Sequence, residues 1–118
     1  MALADAEGKA SFAFDGQASR FADGLADLYV RKTRGELLIA EGIPSPNVVK
    51  LDVEGAEGDV LEGLQSALAG VRAAMIEVHF GIFTREGRTG EPQRILELLR
   101  VHGFRLRWVD PSHLLASR

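Results

Sequence analysis

The chain has 118 residues, a net charge of −3, 46% apolar and 26% charged residues, and no cysteine. One soluble globular domain is the expected organisation, short for a complete doubly wound enzyme. Weak negative charge argues against a large nucleic-acid footprint, and the missing cysteines exclude disulfides, thiolate nucleophiles and zinc–sulfur sites. The N-terminus has no basic, apolar leader, and no apolar run approaches the length that spans a bilayer, so a cytoplasmic location is expected.

In chain order, Ala4 to Gly8 reads as a turn, and residues 10–14 alternate so that Phe12 and Phe14 share a face, as in a half-buried strand. Residues 15–24 are polar and glycine-bearing and read as loop; residues 26–32 read as the return strand of a hairpin-like excursion. Thr33-Arg34-Gly35-Glu36 has capping-box spacing ahead of Leu37, Leu38 and Ile39, predicting a short helix that ends at Gly42 before Pro44 and Pro46.

Residues 47–53 form a short β-branched run that suits a buried parallel strand. Val60, Leu61, Leu64 and Leu68 then recur at helical spacing up to Gly70. Residues 73–80 are a second buried-strand candidate, and Gly81 to Gly90 reads as a loop carrying Arg85 and Arg88. Pro92 opens a helix with Ile95, Leu98 and Leu99 on its apolar stripe, and Gly103 stands where a left-handed cap belongs. Strands follow at 104–109 and 113–116, joined so tightly by Asp110-Pro111-Ser112 that they must be antiparallel. Alternating strands and helices in the second half predict an α/β sheet.

Ligands in such sheets sit beyond the carboxyl ends of the strands. Asp52 and Glu54 end one strand, with Glu57 at the helix start, and Glu77 and His79 end the next. If these strands are neighbours, carboxylates and an imidazole share one rim, which could deprotonate a hydroxyl or hold a hard cation. Plainer roles stand beside these. Glu54 and Glu57 suit a helix N-terminus, Lys50 can pair with Glu77, and His79 can be structural. His102, His113, Arg85 and Arg88 read as helix-end or solvated residues, and Trp108 and the phenylalanines as core. No strand is followed by a glycine-rich phosphate or nucleoside loop.

Lys50-Leu51-Asp52-Val53-Glu54-Gly55-Ala56-Glu57, then Val60-Leu61-Glu62-Gly63-Leu64, then Ile76-Glu77-Val78-His79, resembles the FkbM methyltransferase signature in residues and spacing. Ala2-Leu3-Ala4-Asp5 followed by Gly8 resembles the family's segment after its third strand. The resemblance implies a partial class I methyltransferase (Rossmann-like) sheet, mostly parallel with an antiparallel final strand and lacking the first two strands. It divides the single domain into an excursion and short helix over 1–46 and a strand–helix–strand–helix–strand–strand unit over 47–118. It also implies methyl transfer from S-adenosylmethionine to a hydroxyl oxygen of a small molecule or glycan. By carry-over, Asp52 lies close to donor and acceptor, Leu3 near the adenine, and Glu54, Glu57, Glu77 and His79 on the acceptor side. No metal is implied. The glycine-rich loop and ribose-binding acid belong to the strands outside this chain, as a gene fragment or misplaced start would explain. Activity of the chain alone is therefore open, and an exposed sheet edge would favour a homodimer or pairing with a separate N-terminal half. A non-catalytic interaction module, and a small metal-binding protein using Asp52, Glu54, Glu77 and His79, remain as alternatives.

Overall fold

The structure, a computed structural model, describes residues 1–15, 18–21 and 28–118. Its strands are β1 (Ala2–Leu3), β2 (Gly8–Asp15), β3 (Ala18–Phe21), β4 (Leu28–Thr33), β5 (Val48–Leu51), β6 (Ala73–Glu77), β7 (Arg105–Trp108) and β8 (His113–Ser117). Its helices are α1 (Gly35–Ala40), α2 (Glu57–Leu64), α3 (Phe80–Arg85) and α4 (Glu91–Val101), with a 3-10 segment at Gln65–Gly70.

The strands form two sheets, ordered β1-β4-β2-β3 and β5-β6-β8-β7. The second carries the core. β5 and β6 are parallel, while β8 is inserted antiparallel between β6 and β7, so β5, β6 and β7 point the same way. Alternation along these strands turns Leu51, Ala74, Ile76, Leu114 and Ala116 into one apolar layer. Val60, Leu61 and Leu64 of α2 and Ile95 and Leu99 of α4 close over it, at their expected helical spacing. The architecture is thus mixed α/β, and the strand directions agree with the expectation of an antiparallel final strand.

Several expectations need correction. The excursion is more than a hairpin. β1, at a position with no strand prediction, pairs in parallel with β4, and residues 18–21 form β3 within the stretch read as loop. The rest of that loop, the side-chain facing of Phe12 and Phe14, and residues 26 and 27 of the predicted return strand lie outside the described residues. Thr33 is no cap. It ends β4 fully paired into the sheet, and α1 starts from an extended Arg34 without a side-chain cap. The helix predicted to reach Gly70 ends at Leu64, where Gln65 takes φ +36° and the path tightens into the 3-10 segment, seating Leu68 in the core. Residues 80–85 form α3 rather than loop, because Ile82 and Phe83 are buried on one side of that turn.

Close approach fixes how α2 meets β1. A Cβ on Gly63 would stand 1.9 Å from the carbonyl oxygen of Ala4, so only glycine lets the helix lie against that backbone. At the other end of the core, Gly103 (φ +85°) caps α4, and Phe104 N–H donates back to Leu99 O at 3.1 Å. Arg118 then straps the segments together. Its Nε donates to Val71 O at 2.8 Å, Nη1 to His102 O at 2.8 Å and Nη2 to Leu68 O, while the guanidinium lies 4.1 Å over the Phe104 ring.

Candidate active site

Parallel pairing in register, Leu51 opposite Ile76, brings the carboxyl ends of β5 and β6 side by side. β5 stops at Leu51, before Asp52 and Glu54, while β6 ends on Glu77 itself. Asp52 and Glu54 therefore share a face through a turn and not through strand alternation, and His79 sits at the entry to α3, two residues past β6.

The turn is unusual. Glu54 has φ +52° and Gly55 φ +98°, a left-handed pair that costs a non-glycine residue on the order of 1 kcal/mol. Its peptide is held from both sides. Gly55 N–H donates to Glu57 Oε1 at 3.1 Å, and Arg88 Nη2 donates to Gly55 O at 3.0 Å. Ile82 closes against Gly55 as well, 3.0 Å from where a Cβ would stand. Arg88, expected in a solvated loop, is half-buried, lies 5.2 Å over the Phe83 ring and serves as a strap across the turn.

Glu57 is the buried centre. It is 0% exposed, and its Oε1 also accepts from His79 Nδ1 at 2.6 Å. A carboxylate accepting two N–H donors at the first turn of α2 is in the place where helix N–H groups need an acceptor. Its second oxygen, Oε2, is buried and has no hydrogen-bond partner among the described residues. With Nδ1 donating to the carboxylate, His79 Nε2 is left to face the rim, at 3.5 Å from Glu54 Oε1, 3.6 Å from Asp52 Oδ1 and 3.9 Å from Glu77 Oε1. The His79 side chain is 13% exposed, so little of the ring meets solvent.

The other four residues expected at one rim thus lie around His79. Lys50 does not pair with Glu77. It stands opposite Met75 in the register, and its Nζ is 3.6 Å from Asp52 Oδ2. Glu77 meets His113 instead, whose Nε2 is 3.6 Å from its Oε2 and whose Nδ1 is 2.9 Å from Asp110. Backbone N–H groups of Ser112 and then His113, together with the His113 ring, hold the Asp110 carboxyl at about 2, well below its usual range. Trp108, expected in the core, is 41% exposed and packs at 5.7 Å against Phe80, itself 40% exposed, beside His79. His102 takes the helix-end role expected of it, with Nδ1 2.7 Å from Leu98 O. Leu3 lies on the other sheet, packed against the apolar core. A cavity of about 600 Å³ also opens on that sheet, lined by Glu7, Gly8, Lys9, Tyr29, Val30 and Arg31, none of which belongs to the rim.

Reasoning from sequence missed the Gly55 peptide clamp. The only signal was Gly55 itself between two acids, which marks a left-handed turn but does not name Arg88, 33 positions away, as its partner.

A cluster of this kind can accept a proton from a hydroxyl or hold positive charge, and the chain is similar to known proteins. Over 54 residues, 45% of this chain, it is 43% identical to the hexuronic acid methyltransferase AglP of Haloferax volcanii. Over 77 residues, 63% of this chain, it is 43% identical to the AMB antimetabolite synthetase AmbE of Pseudomonas aeruginosa. These matches span 23% and 4% of the two relatives' lengths. No solved structure matches. The model of the Methyltransferase FkbM domain matches residues 2–106, nearly the whole length and the entire rim, and the chain belongs to that family.

Proposed function

We propose that this chain carries the acceptor side of an S-adenosylmethionine-dependent O-methyltransferase of the Rossmann-like class, working in the cytoplasm on a hydroxyl of a sugar or similar small molecule. The observation that carries the reading is the Glu57–His79 pair, 2.6 Å apart, presenting Nε2 to an open carboxylate rim within a methyltransferase family domain.

S-adenosylmethionine, when bound, supplies a methyl group from its sulfonium. The rim fits the positive end of that donor, because Asp52, Glu54 and Glu77 gather negative charge around His79 while Glu57 already fills the anion position at the start of α2. Among the described residues no glycine-rich turn opens a helix after a strand, and this chain's residues act on the acceptor and on the positive end of the donor. His79 Nε2 would accept the proton of the acceptor hydroxyl. Glu57 holds the ring by Nδ1 and balances the imidazolium that forms. Asp52 and Glu77 offer acceptors to neighbouring hydroxyls, and the exposed Phe80–Trp108 pair gives an apolar face on which a sugar ring can rest. The name of the Haloferax relative makes hexuronic acids the first acceptors to try.

The test is incorporation of labelled methyl from saturating S-adenosylmethionine into hexuronic acid and hexose acceptors. Wild-type chain is expected to exceed His79→Ala by on the order of 100-fold. Equal incorporation by the two proteins contradicts the reading.

One observation favours a second reading. Among the described residues β5 pairs with β6 alone, and Val48 on it is 55% exposed, leaving a sheet edge on which another chain could add a strand. Size-exclusion chromatography with light scattering checks it; a strict monomer at high concentration speaks against self-pairing.

A further inference from the structure

The two nitrogens of His79 meet different surroundings. Nδ1 donates to Glu57, so Nε2 of the neutral ring carries a lone pair. Around Nε2 the described residues place carboxylate oxygens, Glu54 Oε1 at 3.5 Å, Asp52 Oδ1 at 3.6 Å and Glu77 Oε1 at 3.9 Å. Lone pairs facing lone pairs repel unless something positive lies between them.

The spacing suits a metal ion. One ligand atom each from Asp52, Glu54 and His79 lies within 4.8 Å of the other two. Ligand atoms held about 2.1 Å from one cation are themselves about 3–3.5 Å apart, so a small closure of exposed carboxylates completes the shell. Lys50 lies on Asp52 Oδ2 and leaves Oδ1 free to turn inward. An independent observation points the same way. Glu57, completely buried, directs Oε1 onto the ring from behind, and among the described residues its Oε2 has no hydrogen-bond partner. The Glu57 carboxylate behind the imidazole favours a cation in front of it. A carboxylate on the far nitrogen is also the arrangement that orients metal-bound histidines.

We propose that Asp52, Glu54 and His79 Nε2 form a site for one divalent cation of the oxygen-preferring class, with Glu57 fixing the ring and Glu77 at the margin. The site stands on this geometry and needs no methyl transfer. A proton and a cation exclude each other on Nε2, so His79 acts as a base only when the cation is absent.

The probe is Mn²⁺, titrated into the full 118-residue chain by calorimetry and followed by pulsed electron paramagnetic resonance. The expected result is one Mn²⁺ per chain with nitrogen modulation from a coordinated imidazole. Asp52→Asn and Glu54→Gln, both at exposed or half-exposed positions, are expected to keep the wild-type melting profile and weaken binding by on the order of tenfold or more. Glu57→Gln, isosteric, is expected to weaken it by about 10- to 100-fold. Glu41→Gln, an exposed carboxylate beyond α1, is the unchanged control. Sub-stoichiometric binding, absence of the nitrogen signal, or equal affinity in D52N and E54Q would each overturn the proposal. A failed methyl-transfer assay leaves this titration untouched.

Discussion

At the scale of single residues, Glu57 concentrates the consequences of burial. Its Oε1 satisfies both Gly55 N–H and His79 Nδ1, and there is no solvent to replace it. Glu57→Ala strands two donors at once, so it is expected to lower folding stability by about 2–3 kcal/mol, read by urea unfolding monitored through Trp108 fluorescence. Asp110 behaves oppositely because it is on the surface. Ser112 N–H, His113 N–H and the His113 ring stabilise its charged form and lower its folded-state value to about 2. A lowered carboxylate value means the interaction is fully present above the ordinary carboxyl range and is lost as pH falls through about 2. Carbon-detected NMR titration is expected to show that low midpoint, and Ser112→Pro, which removes the first N–H donor, is expected to raise it.

At the scale of elements, the architecture depends on two close approaches. Gly63 lets α2 touch the β1–β2 turn at Ala4, and Gly63→Ala is expected to cost about 1–3 kcal/mol by forcing the helix outward, with a lower melting temperature as the readout. Arg118 joins the 3-10 segment, the end of α4 and Phe104 through carbonyls of three residues, and Arg118→Ala is expected to cost about 1–2 kcal/mol in the same experiment. How legible these elements were follows from how local their causes are. β5, α2, α4 and the β7–β8 pair could be read because apolar period, Gly103 and the short Asp110-Pro111-Ser112 link are written in adjacent residues. β1 and α3 could not. A two-residue strand exists only because β4 lies beside it, and Phe80 to Arg85 turns helical because Ile82 and Phe83 find the core. Trp108 was misplaced for the same reason, since an aromatic on an edge strand is buried or exposed according to its neighbours alone.

At the scale of the whole molecule, the ionisable rim lies on one sheet, and the other packs Leu3 against the core beneath it. Parallel pairing of β5 with β6 is what converts two separated acidic stretches into a single rim. The membership of that rim was readable from residue pattern and family resemblance together; its order was not, because Glu57 reaches His79 only through a left-handed turn clamped by Arg88. No helix among the described residues is long and apolar enough to cross a membrane. The claim on which the rest turns is that Glu57 holds the His79 ring by Nδ1 and points Nε2 at Asp52 and Glu54. Nitrogen-15 NMR of the imidazole, recorded on the neutral ring, tests it most directly. The expected result is the tautomer with its proton on Nδ1, an unprotonated Nε2, and loss of that preference in Glu57→Gln. A proton resident on Nε2 of the wild-type ring would contradict it.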